Sequence, residues 1–103
     1  MFTVRYSASV SRNYVHLTNI TTGETIMRTS LRSFSSESRL IADSKGAAAF
    51  VGELIREIEG GRRWLRFLPT VDVTLTGEPR TPEDREEARR IFAEQGFVRV
   101  RVT

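Results

Sequence analysis

The chain has 103 residues, 16 of them Lys or Arg against 13 Asp or Glu, with one His and no Cys. That length supports one domain with a modest core, and the absence of Cys excludes a disulfide scaffold, a thiolate zinc site and a cysteine nucleophile. Of the cations, 15 are Arg and only Lys45 is Lys. Guanidinium is a planar fork matched to phosphate and able to stack on bases, so this bias fits a polyanion partner; a GC-rich genome that replaces Lys throughout is the compositional alternative. The excess is local: residues 1–39 carry a net +3, residues 40–60 a net −2, residues 61–80 a net +2 and residues 81–103 none. No stretch approaches 18 apolar residues, so no membrane-spanning helix is expected.

Phe2, Val4 and Tyr6 alternate with polar residues, as a half-buried strand does, and residues 8–13 read as a polar turn. Residues 14–18 form a second β-rich run, closed by Thr22-Gly23-Glu24, and residues 25–29 resume the pattern as a third antiparallel strand. Residues 30–38, with five Ser and one Arg, have no period and read as a surface loop.

From Asp43 the period becomes helical. Ala47, Val51, Leu54, Ile55 and Ile58 share a stripe, Asp43 or Ser44 caps the start, and Gly60-Gly61 supplies a left-handed exit. Pro69 confines the fourth strand to about residues 70–75, and Trp64 and Phe67 precede it beside Arg62, Arg63 and Arg66. Thr81, Pro82 and Asp84 are a cap, a first-turn proline and a variant capping box. Ala88, Ile91 and Phe92 make the second helix's buried stripe, Glu86 and Arg90 pair at i,i+4, and Gly96 ends it. Phe97 to Val102 alternate as a last strand. The expectation is a mixed five-stranded α/β sheet in the order βββαβαβ, a single domain over 1–103, with helices packed on its faces.

Catalytic chemistry finds little to work with. A two-metal nuclease needs carboxylates on central strands, and the first strand has none; Asp72 is a lone strand carboxylate that faces solvent or pairs with an Arg. Glu83, Asp84, Glu86 and Glu87 read as a solvated, dipole-stabilised helix start. His16 has no second ligand or nucleophile nearby and reads as a hydrogen-bonded or RNA-contacting residue. We expect no enzyme, metal or cofactor. Positive signals point to RNA. Arg12, Asn13 and Tyr14 combine a phosphate fork, an amide and a stacking ring at a hairpin tip, and Arg28, Arg32 and Arg39 flank the hydroxyl-rich loop. Arg5 on the first strand and Lys45 at the helix start complete the candidate RNA-binding set.

Several runs together resemble the family of the large-subunit ribosomal protein numbered eighteen, which binds 5S rRNA. They are Phe2-Thr3-Val4-Arg5-Tyr6-Ser7, Ser11-Arg12-Asn13-Tyr14-Val15-His16-Leu17, the segment 22–30, and the alanine-rich Lys45-Gly46-Ala47-Ala48-Ala49-Phe50-Val51-Gly52. The resemblance implies a ribonuclease-H-like fold without nuclease activity, with rRNA and neighbouring ribosomal proteins as partners. Two departures stand out. The chain starts at the first strand without the basic arm of bacterial members, and where that family usually carries an Arg, glycines and a His before the last helix, residues 76–84 read Thr76-Gly77-Glu78-Pro79-Arg80-Thr81-Pro82-Glu83-Asp84. Both are expected of a divergent, reduced member from a mitochondrial ribosome. The related small-subunit family numbered eleven would carry a Lys/Arg-Ser-Thr-Pro loop and a Pro-Gly-Pro-Gly-Arg turn, which this sequence lacks. A standalone protein-interaction module is the alternative from another class.

Overall fold

A computed structural model describes residues 3–60, 68–78 and 81–103. Phe2, Gly61, Arg62, Arg63, Trp64, Arg66 and Phe67, singled out above, lie outside the described residues. The elements run β1 (Arg5–Ser11), β2 (Tyr14–Asn19), β3 (Thr25–Thr29), α1 (Ser44–Glu59), β4 (Thr70–Leu75), α2 (Pro82–Glu94) and β5 (Arg99–Val102). They form one mixed five-stranded sheet in the spatial order β3-β2-β1-β4-β5, in which β1 pairs antiparallel with β2 and parallel with β4.

β1 runs to Ser11 where a turn was expected from Ala8. The alternation continues through it, with Ala8 and Val10 buried and Ser7, Ser9 and Ser11 on the opposite side, because small hydroxyl side chains fit a pleated surface as well as long polar ones do. Only Arg12 and Asn13 are left to make the turn, and Asn13 adopts φ 54°, a left-handed conformation that Asn tolerates.

Both helices lie on one face of the sheet rather than on two. The connections β3 to β4 and β4 to β5 cross the sheet in the same direction, and right-handed crossovers running the same way deliver their helices to the same side. There α1 buries Ala47, Val51, Leu54, Ile55 and Ile58, and α2 buries Ala88, Ile91 and Phe92. Tyr6, Ala8, Val10, Val15, Leu17, Val71, Val73 and Leu75 rise from the sheet to meet them. Phe97, just before β5, locks the far end: its ring stands edge-on to Tyr6 at 5.3 Å and tilts against Phe92 at 6.1 Å.

The helix ends follow their local chemistry. The Asp43 carboxylate accepts from Gly46 N–H, and Gly60 closes α1 at φ 57°. At α2, Thr81 and Asp84 form a full capping box. The expected Glu86–Arg90 pair is absent; Arg90 bonds Glu87 at 3.1 Å and Arg89 lies 3.9 Å from Glu86, the i,i+3 neighbours being as close on a helix surface as the i,i+4 ones.

Candidate nucleic-acid interface

The segment between β3 and α1 is built into the fold. Phe34, Leu40 and Ile41 are buried, and Phe34 packs against Phe50 of α1 at 5.9 Å. The basic hairpin tip holds it in place. Asn13 Oδ1 accepts from the Phe34 and Ser35 N–H groups, both at 2.8 Å, and from Ser33 Oγ at 3.2 Å, while Asn13 N–H donates to Ser35 Oγ at 3.0 Å. Arg12 spans two segments, donating to the Ser36 carbonyl and, at 3.0 Å, to that of Glu78.

Asp84 anchors the other end of the segment. Its side chain is wholly buried, not solvated as the acidic run of the sequence implies. It accepts from Arg39 Nε, Leu40 N–H and Ile41 N–H, each at 3.1 Å, and from Thr81 N–H at 3.2 Å. Burial raises the carboxyl pKa, but the bonds from Ile41, Leu40, Arg39 and Thr81 outweigh it, so the group lies below the ordinary carboxylate value. The fold thus uses three of the candidate RNA-binding side chains, Arg12, Asn13 and Arg39, for its own closure.

The remaining candidates divide between two surfaces. Arg28 points to the helix side of the β3 edge and pairs with Glu57 at 2.7 Å; Arg32 and Lys45 are exposed beyond it on that side. Arg5 and Tyr14 belong to the opposite side of the sheet, which no described element covers.

That open face is ordered by strand register. At one end Arg5, Thr70 and Arg99 form a row across β1, β4 and β5. Next come Arg101, Asp72, Ser7, Thr18 and Thr25, then Thr74, Ser9, His16 and Met27, and finally Ser11, Tyr14 and Thr29. Three guanidinium groups stand against one carboxylate among the described strand residues, and that carboxylate, Asp72, lies 3.9 Å from Arg101 Nε. Arg99 and Arg101 sit two residues apart on one strand, so their guanidinium groups emerge about 7 Å apart on the same side. The floor between them and Tyr14 is nearly all Ser and Thr. His16 Nε2 bonds Thr25 Oγ1 at 2.8 Å, and Thr25 also meets Thr18 at 3.0 Å. Short hydroxyl side chains let a ligand backbone approach the sheet closely and supply donors and acceptors for phosphate and sugar oxygens.

Sequence reading does not single out Arg99, Arg101 or the serine row, which share this surface with His16, read there as a hydrogen-bonded or RNA-contacting residue. Their signal was present in the alternation Val98-Arg99-Val100-Arg101-Val102 and in Ser7, Ser9 and Ser11, and it was hidden by the expectation that helices cover both faces. Among the described residues no group of His, Asp and Glu is placed to hold a metal. Comparison with known proteins finds no family model that matches the chain and no matching curated relative.

Proposed function

We propose that the chain is a noncatalytic RNA-binding protein that works as a constituent of a ribonucleoprotein particle, and that its fold is of the ribonuclease-H-like class. The observation that carries this reading is the hydroxyl-lined sheet face that no described element covers, on which Arg5, Arg99 and Arg101 stand against the one carboxylate, Asp72, among the described strand residues. A net positive charge gathered on one surface suits a polyanion. The fold assignment is supported by the strand order β3-β2-β1-β4-β5 with β2 alone antiparallel to the rest. In this reading the particle is the large ribosomal subunit, as the sequence resemblance implies. The small overall charge of +3 fits a protein held by many neighbours better than one that grips RNA unaided.

The test is sedimentation of the native protein from organellar and whole-cell lysates. The protein is expected to travel with a large ribosomal subunit and to leave that position after ribonuclease treatment. Recovery only at the top of the gradient in both lysates would remove the ribosomal reading.

A further inference from the structure

We infer that the free chain self-associates through the edge of β3, two copies pairing antiparallel about Met27 to make one continuous sheet. This goes beyond the proposed RNA-binding role and does not depend on it.

Among the described residues β3 is the outer strand of the sheet, and its outer side is in phase for such pairing. The bonds from Asn19 N–H to Glu24 and from Ser30 N–H to Asn13 bracket the β2–β3 ladder. In an antiparallel ladder, hydrogen-bonded pairs alternate with non-bonded ones, so Ile26 and Arg28 turn their main-chain groups to β2, and Thr25, Met27 and Thr29 turn theirs outward. No proline or bulge interrupts this edge, and its one charged side chain, Arg28, is drawn to Glu57 of α1 at 2.7 Å.

A second copy fits that edge because the strand reads nearly alike in both directions. With Met27 on the two-fold axis, Thr25 meets the partner's Thr29, Met27 meets its own counterpart, and each of these residues presents outward groups to outward groups. Met27, a large apolar side chain left 51% exposed, would then be covered by the same residue of the other copy. This is the self-complementarity an isologous interface requires.

The flank agrees. Between β3 and α1 lies a groove of about 470 Å³ with Phe50 and the fully exposed Leu31 in its wall. Its rim carries Arg28 and Arg32 on the strand side and Glu53 and Glu57 on the helix side. Arg28 and Glu57 pair across this groove at 2.7 Å, which leaves Arg32 and Glu53 as rim charges of opposite sign, a pattern that suits a second copy of the chain better than a ligand of one charge. Arg28 already donates to the Met27 carbonyl at 2.9 Å, and the second lone pair of that oxygen remains for a partner N–H.

The experiment is analytical ultracentrifugation of the purified full chain over a wide concentration range, combined with single-cysteine crosslinking. The chain has no Cys, so Met27→Cys introduces the only thiol. Paired residues at such a position have Cα atoms about 5.5 Å apart, within disulfide reach. The expected results are a reversible monomer–dimer equilibrium for the wild type, rapid oxidation of M27C to a covalent dimer, and at least a tenfold weaker dimer for Met27→Lys, which places two cations on the axis. Thr74→Cys, on the open face away from the edge, should crosslink only at a slow collisional rate. Circular dichroism checks that each variant folds, and M27C decides the matter should M27K unfold. A wild type that stays monomeric throughout, or T74C crosslinking as fast as M27C, would overturn the inference.

Discussion

Arg39 donates from Nε to Asp84 Oδ1 at 3.1 Å across 45 residues of sequence, and in doing so joins the segment before α1 to the first turn of α2. Arg39 is part-exposed while its partner has no solvent contact. The same carboxylate caps α2 and accepts the Leu40 and Ile41 N–H groups. One side chain therefore serves as helix cap, loop anchor and ion-pair partner.

Replacing Asp84 by Asn should be among the most destabilising single changes. It removes the charge that Arg39 faces and turns an amide donor toward N–H groups, and a buried donor left without an acceptor costs about 1–3 kcal/mol. A loss of about 3 kcal/mol, lowering Tm by more than about 10 °C, is expected in thermal melts at neutral pH. The pH dependence has a fixed sign. The folded carboxyl lies below the ordinary carboxylate value, so its contribution is fully present above the unfolded value and is lost as pH falls through the folded one. The stability gap between wild type and D84N should narrow below about pH 4.

Asn13 combines a left-handed backbone with three accepted bonds, and two substitutions separate these contributions. Asn13→Gly keeps the conformation and loses the bonds; Asn13→Ala loses the bonds and adds a left-handed strain of about 1–2 kcal/mol. Chemical denaturation should place N13A below N13G by about that amount, with N13G already below wild type by about 2 kcal/mol. Equal stability of N13G and wild type would show that the side-chain clamp contributes nothing.

Asp72 is exposed and opposes the arginines of the open face. Its replacement by Asn should leave Tm within about 1 °C, since exposed ion pairs contribute little, and should strengthen binding to single-stranded RNA several-fold at low salt. Weaker binding by D72N in a fluorescence titration would argue that the RNA lies elsewhere.

Much of the architecture can be read from local pattern. Asp43 and the 47-51-54-55-58 stripe define α1, and Thr81-Pro82 with Asp84 defines the start of α2, because caps and amphipathic stripes act over one or two turns. The surface assignments were less legible. Arg12, Asn13 and Arg39 look like RNA ligands in sequence because nothing nearby engages them; their partners at Glu78, Phe34 and Asp84 lie 66, 21 and 45 residues away. Likewise, Arg99 and Arg101 read as an ordinary alternating strand until the crossover directions put both helices on one side. Which residues are free to bind depends on tertiary topology, which residue type alone does not encode.

The most direct measurement for an RNA-binding open face is the salt dependence of single-stranded RNA binding by the purified wild type and by the double variant Arg99→Gln, Arg101→Gln. Each phosphate contact on a single strand contributes about 0.7 to the slope of log K against log salt. The double variant should therefore bind more weakly at low salt, with a slope shallower by about 1.4, and keep the wild-type Tm. An unchanged affinity and slope in a folded double variant would contradict the assignment of RNA binding to this face.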